Sequence, residues 1–134
     1  MTWQLRLHGV GNASAVELGS AMATIERDGA PWLTIDCGGE GLTAYQAYYG
    51  DMPRALFLTH THLDHVAGFE RLFVSSYFDE ARRGRVKLYV PAPVVPLLHP
   101  RAAGDGVLDR LEAACAAGGT SFYTSGIDPG FGNA

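Results

Sequence analysis

An α/β fold is predicted by three observations: period-2 apolar runs separated by helical patterns, a hairpin signal between two of the runs, and an apolar run ending in clustered histidines. The strand-like runs are residues 3–8, 21–27, 31–35, 55–58 and 86–91, with helical patterns over 40–49 and 66–83. Strand, hairpin, helix, strand, helix, strand implies a mixed sheet with flanking helices.

The first run, Trp3 to His8, alternates in the manner of a half-buried strand and is broken by the small residues from Gly9 to Ser14. His8 lies inside that strand, which favours a structural role. Gly9 and Gly11 lack the third glycine and the following helix of a dinucleotide fingerprint. Asp28-Gly29 then separates two strand-like runs, a strong signal for a tight hairpin turn. The second of these leads to Asp36, followed by Cys37-Gly38-Gly39. Leu42, Ala44, Tyr45 and Tyr48 mark a short helix that stops at Gly50. Val66, Phe69, Leu72, Phe73 and Phe78 carry helical spacing in the next helix, as core residues, and the run at 86–91 closes the series.

Bulk properties limit the functional classes. At 134 residues and 47% hydrophobic content the chain suits one domain with a real core. A net charge of −4 gives no global basic surface for nucleic acid. An RNA partner would need the local patch of Arg82, Arg83, Arg85 and Lys87, which reads better as a solvated helix end. Cys37 and Cys115 lie in unlike contexts and are expected as free thiols. No apolar run approaches membrane-spanning length and no leader pattern opens the chain, so a cytoplasmic location without membrane contact is expected.

The chemistry concentrates in Thr59-His60-Thr61-His62-Leu63-Asp64-His65, at the end of the run Ala55-Leu56-Phe57-Leu58. Imidazole and carboxylate are ligands of zinc and similar divalent ions. On an extended segment His60 and His62 share one side, and Asp64 and His65 fall at the following turn. One pair could hold one ion and the other pair a second, with Asp64 also orienting or deprotonating a bound water. A solvated histidine-rich turn is the bland alternative.

At these residues the sequence resembles the metallo-beta-lactamase fold superfamily, whose members carry His-x-His-x-Asp-His after a buried strand. From Leu5 to Phe73 the Gly9–Ser14 loop, the strand Trp32–Gly38 and the strand Ala55–His60 look most like its ribonuclease Z and phosphodiesterase-like branch. The resemblance implies that residues 1–100 form the N-terminal half of an αββα sandwich. It also implies that Asp36 supports the metal loop through hydrogen bonds without binding the ion, the alternative being an Asp that merely starts the turn at Cys37. Further ligands would be needed on later strand ends. His99, the only histidine after the motif, sits between prolines in a loop-like stretch.

The expected function is metal-dependent hydrolysis by a metal-bound hydroxide, with zinc as cofactor, one or two ions, and manganese or iron as substitutes. The resemblance to the ribonuclease Z and phosphodiesterase-like branch favours a phosphodiester as substrate over a lactone, thioester or β-lactam. The alternative is a metal-binding fragment without activity. Half a sandwich leaves a sheet face uncovered, so a homodimer is possible. Residues 101–134 read as a linker, an Ala-rich helix and a tail. From about Val107 they are similar to a segment of dihydrodipicolinate reductase-like and diaminopentanoate dehydrogenase-like enzymes, which leaves a minor reading as a piece of an NAD(P)-dependent oxidoreductase.

Overall fold

The computed structural model describes residues 1–98 and the backbone of 123–125. Its strands are β1 (Trp3–Gly9), β2 (Met22–Arg27), β3 (Ala30–Ile35), β4 (Ala55–Phe57), β5 (Lys87–Pro91) and β6 (Tyr123–Ser125). They form one sheet in sequential order, antiparallel from β1 to β3 and parallel from β3 to β6. Helices α1 (Gly39–Tyr49), α2 (Leu63–Val66), α3 (Phe69–Phe78) and α4 (Val95–Leu98) occupy the connections. The molecule is therefore an α/β protein with a mixed sheet. His99, Cys115 and the helix expected after Val107 lie outside the described residues.

The β2–β3 turn places Asp28 at φ 53° and Gly29 at φ 80°. Two consecutive left-handed residues match the right-handed strand twist, which is why Asp-Gly is favoured there. Helix α1 ends as Gly50 adopts φ 72° and donates its N–H to the Gln46 carbonyl.

The helical pattern expected across 66–83 is interrupted at both ends. A Cβ at Gly68 would lie 2.8 Å from the Gly38 carbonyl oxygen and 3.0 Å from that of Cys37. This close approach separates α2 from α3, so Asp64 and His65 sit within their own short turn. At the other end Asp79 leaves the helical region, and its carboxylate accepts the Ala81 N–H. Such local side-chain competition with the helix ends α3 at Phe78. Arg82 is drawn into ion pairs with Asp51 and Asp79.

Thr24, Thr34, Leu56 and Leu88 stand side by side across four strands and are all buried. This face joins Leu42 and Tyr45 of α1 and Phe69 and Leu72 of α3 in the core. The opposite face carries Leu5 with Ile25 and Leu33, and Leu7 with Ala23, Ile35, Phe57 and Tyr89, in register. Leu5 is 63% exposed and Leu7 59%. The alternation in β1 thus turns its apolar residues outward and sends Arg6 and His8 toward α1.

A polar cluster accommodates those two residues. Glu26 is 2% exposed, accepts Arg6 Nε at 2.6 Å and takes the Tyr49 hydroxyl at 2.5 Å. His8 Nε2 meets Thr24 Oγ1 at 2.8 Å, and Thr24 meets Thr34 at 3.1 Å. The Arg6 guanidinium lies 4.0 Å over the Tyr48 ring. Pairing is required here because a buried charge without a partner is strongly destabilising. Among the described residues no helix is long and apolar enough to cross a membrane.

Arg6, followed by Tyr49, holds the Glu26 carboxyl below its ordinary range. A depressed folded-state pKa contributes stability above the unfolded value and loses it as pH falls through the folded one. Urea unfolding should therefore weaken below about pH 4, with a smaller drop in Glu26→Gln. Equal pH slopes in both proteins would show that this pairing does not support the fold.

Candidate active site

β3 and β4 run parallel, with Ile35 beside Phe57, so both release their chains at the same edge of the sheet. Ligand sites of open α/β sheets lie outside the carboxyl ends of the strands. Asp36 leaves β3 there, with its N–H donated to the Phe57 carbonyl at 2.8 Å. Leu58 leaves β4 with its N–H on the Tyr89 carbonyl at 3.0 Å. Thr59 and His60 follow at once.

Asp36 adopts φ 63°, a left-handed conformation in which Asp is among the tolerated residues. Its carboxylate accepts the Thr59 N–H at 2.8 Å, the Thr59 hydroxyl at 2.8 and 2.9 Å, and pairs with His65 Nδ1 at 2.7 Å. Thr59 Oγ1 also meets His60 Nδ1 at 2.8 Å. His65 Nε2 faces Asp64 Oδ2 at 3.4 Å. The His60 ring lies 4.7 Å from that of His62 and 4.0 Å from that of His65, centre to centre. The structure thus brings together all five residues singled out in the sequence: Asp36, His60, His62, Asp64 and His65.

Backbone contacts seat this loop. His65 accepts the Cys37 N–H at 2.8 Å through its carbonyl, and Cys37 in turn accepts the Gly68 N–H at 2.8 Å. A Cβ on Gly38 would overlap Ser20 Oγ and the Asp64 carbonyl oxygen, so no larger residue fits. Ser20 Oγ accepts the Gly41 N–H at 2.9 Å and fixes the start of α1. Ser20, Gly38, Thr59 and Gly68 were not legible as site residues. The paired Gly38-Gly39 was the one available signal, and it reads equally well as an ordinary turn.

Burial, followed by the nearby His65 ring, pushes the His60 pKa down, with Asp36 opposing. His60 is consequently a neutral imidazole at pH 7, able to accept a proton. Burial raises the Cys37 thiol to about 12, which removes it as a thiolate nucleophile or ligand.

A metal shell needs several donors converging on one point about 2 Å from each. Among the described residues, no group of three or more His, Cys, Asp or Glu side chains is arranged to hold a metal ion. The donors are instead turned on one another: His65 engages Asp36 and Asp64, and His60 engages Thr59. The described residues thus show no metal shell, and the readings as a zinc-dependent hydrolase or an inactive metal-binding fragment are corrected by the family match that follows. As arranged, these side chains offer the chemistry of imidazoles and carboxylates.

Comparison with known proteins corrects the family as well. The family model for "Anti-Pycsar protein Apyc1" matches residues 3–112. The Anti-Pycsar protein Apyc1 of Saccharibacillus brassicae is 37% identical over 110 residues, which covers 81% of this chain and 45% of that protein. A ribonuclease Z of Pseudomonas putida (strain W619) is 38% identical over 77 residues, covering 54% of this chain and 23% of that protein. The chain spans less than half the length of either relative. The match over 3–112 overturns the assignment to the metallo-beta-lactamase superfamily and its ribonuclease Z branch, which rested on a short motif and nearby strands. The minor reading as a piece of an oxidoreductase is likewise replaced by this family match, which ends at residue 112.

The His60 environment makes a direct prediction. Nuclear magnetic resonance titration should place its midpoint below the ordinary imidazole value of about 6.5. A midpoint at or above that value would remove the neutral base from the site.

Proposed function

This chain belongs to the Anti-Pycsar protein Apyc1 family, and from that membership we propose that it forms part of an enzyme that acts against Pycsar by degrading a cyclic nucleotide. The observation that carries the proposal is the convergence of three imidazoles and two carboxylates at the ends of β3 and β4, inside the matched region.

Opening a cyclic phosphate ester takes a proton from an attacking water and returns one to the departing sugar oxygen. A neutral imidazole suits the first of these steps, since it enters the reaction unprotonated and can take the proton. His60 is assigned that role. Asp64 orients the water, and His62 donates toward the phosphate oxygens, an interaction strengthened by the charge of the anion. Asp36 holds the loop that carries them.

The finer architecture belongs to the same proposal. The open face bearing Leu5, Leu7, Ile25, Leu33 and Ile35 calls for a second apolar layer, as in an αββα sandwich. The Saccharibacillus relative, of which the match spans 45%, is long enough to contain one. Further site residues would come from that layer. A cytoplasmic location and a small cyclic phosphodiester as the partner complete the reading.

Chromatographic assay of the protein with a panel of 3′,5′-cyclic mononucleotides, run with and without added zinc, manganese or iron and with a chelator, tests it. Conversion to the linear monophosphate is expected, reduced by about 10²-fold or more in His60→Ala and in Asp64→Ala. Conversion unchanged in both variants would refute the assigned roles. Absence of conversion under every condition would refute the activity.

A further inference from the structure

We propose that the cavity between α1 and the amino ends of β3 and β4 binds a nucleoside, with the base against aromatic rings inside and the sugar at a charged mouth. The cavity encloses about 230 Å³ and lies at the other end of the parallel strands from the histidine loop. It takes nothing from the catalytic reading above.

The walls are aromatic. Trp32 near the start of β3 and Tyr45 and Tyr49 in the last turns of α1 line the space. Each ring is held before a ligand arrives: Tyr49 by its hydroxyl on Glu26 at 2.5 Å, Tyr45 by packing 4.5 Å from Tyr49, and Trp32 by the edge-on Trp3 ring at 5.3 Å, centre to centre. Trp32 is nonetheless 50% exposed, which leaves ring surface for a ligand. Walls fixed in advance lose little conformational freedom on binding. Aromatic rings suit a base because every base has a π-face to stack on them.

Polar groups sit at both ends of the space. On the inner wall Thr34 is 1% exposed, and its hydroxyl meets Thr24 Oγ1 at 3.1 Å and the Tyr45 hydroxyl. A hydroxyl offers one donor and two acceptor positions, so a third remains for the edge of a base. At the mouth the Asp51 carboxylate is fixed by the Met52 N–H at 2.9 Å and by Arg82. Its Oδ2 lies 3.3 Å from both Nε and Nη2 of Arg54, a long and exposed pair. Such pairs contribute little, so the guanidinium can turn to a ligand readily.

A fixed carboxylate beside a movable guanidinium suits a ribose, since the carboxylate accepts from the sugar hydroxyls and the guanidinium donates to the sugar oxygens. Arg54 and Arg82 are balanced by Asp51 and Asp79, which favours the uncharged nucleoside over its phosphates. The volume is below the roughly 300–1,000 Å³ of sites that enclose larger ligands, so the base enters and the sugar stays outside.

Titration of the 15N-labelled protein with adenosine, guanosine, cytidine and uridine in turn, followed by proton–nitrogen correlation spectra, tests the proposal. At least one nucleoside should shift the Trp32 indole N–H and the Thr34 and Ala55 amides to saturation. Read at Thr34 and Ala55, affinity should fall by about 10-fold or more in Trp32→Ala, as for loss of a stacked ring. Arg54→Ala should weaken binding by about 10-fold, as for loss of a charge-assisted hydrogen bond. No saturable shift with any of the four nucleosides overturns the proposal, and the wild-type spectrum decides this even if a variant fails to fold. Shifts confined to the histidine loop overturn it too, because the nucleoside would then sit at the other end of the strands. Equal affinity in a folded Trp32→Ala protein does the same.

Discussion

The buried Asp36 carboxylate is the interaction on which the site depends. It gathers two donors from Thr59 and one from His65, across 23 and 29 residues of chain. Those bonds tie the end of β3 to the end of β4 and to α2, three segments whose own secondary structure does not hold them together. The left-handed backbone of Asp36 is part of the arrangement. It turns the carboxylate under the histidine loop, at a conformational cost of about 1–3 kcal/mol that three charge-assisted hydrogen bonds offset.

Close backbone packing completes what Asp36 begins. Gly38 and Gly68 let the β3–α1 turn and the α2–α3 junction meet without intervening side chains. The hydrogen bonds from Cys37 N–H to His65 and from Gly68 N–H to Cys37 then satisfy backbone groups that the short helix α2 leaves over. A rigid seat of this kind matters for acid–base chemistry, since proton transfer requires the groups within hydrogen-bond reach of the reacting atoms.

Much of the framework was legible because its signals are local. The Asp28-Gly29 turn, the stop at Gly50 and the apolar run before Thr59 each follow from the conformational preferences of a few adjacent residues. The features that were not legible are tertiary. Gly68 breaks a helical pattern only because another backbone lies against it. The period of β1 was plain, but which face meets the helices was not: Arg6 and His8 face α1 because Glu26, Tyr49 and Thr24 are there to receive them. The histidine motif located the site correctly in the chain and suggested a metal. In the structure its donors are engaged with Asp36, Thr59 and Asp64, and the family emerged from the match over residues 3–112. A motif of four ligand-type residues is too short to separate families that share it.

Native-state hydrogen exchange at the Thr59 amide, in the wild-type chain and in Asp36→Ala, tests most directly whether Asp36 holds the histidine loop. Thr59 and Cys37 are expected to be protected in the wild type and to exchange much faster in the variant, while Leu56 in β4 keeps its protection. Equal protection of Thr59 in both proteins would contradict this, because the loop would then be held by something other than Asp36.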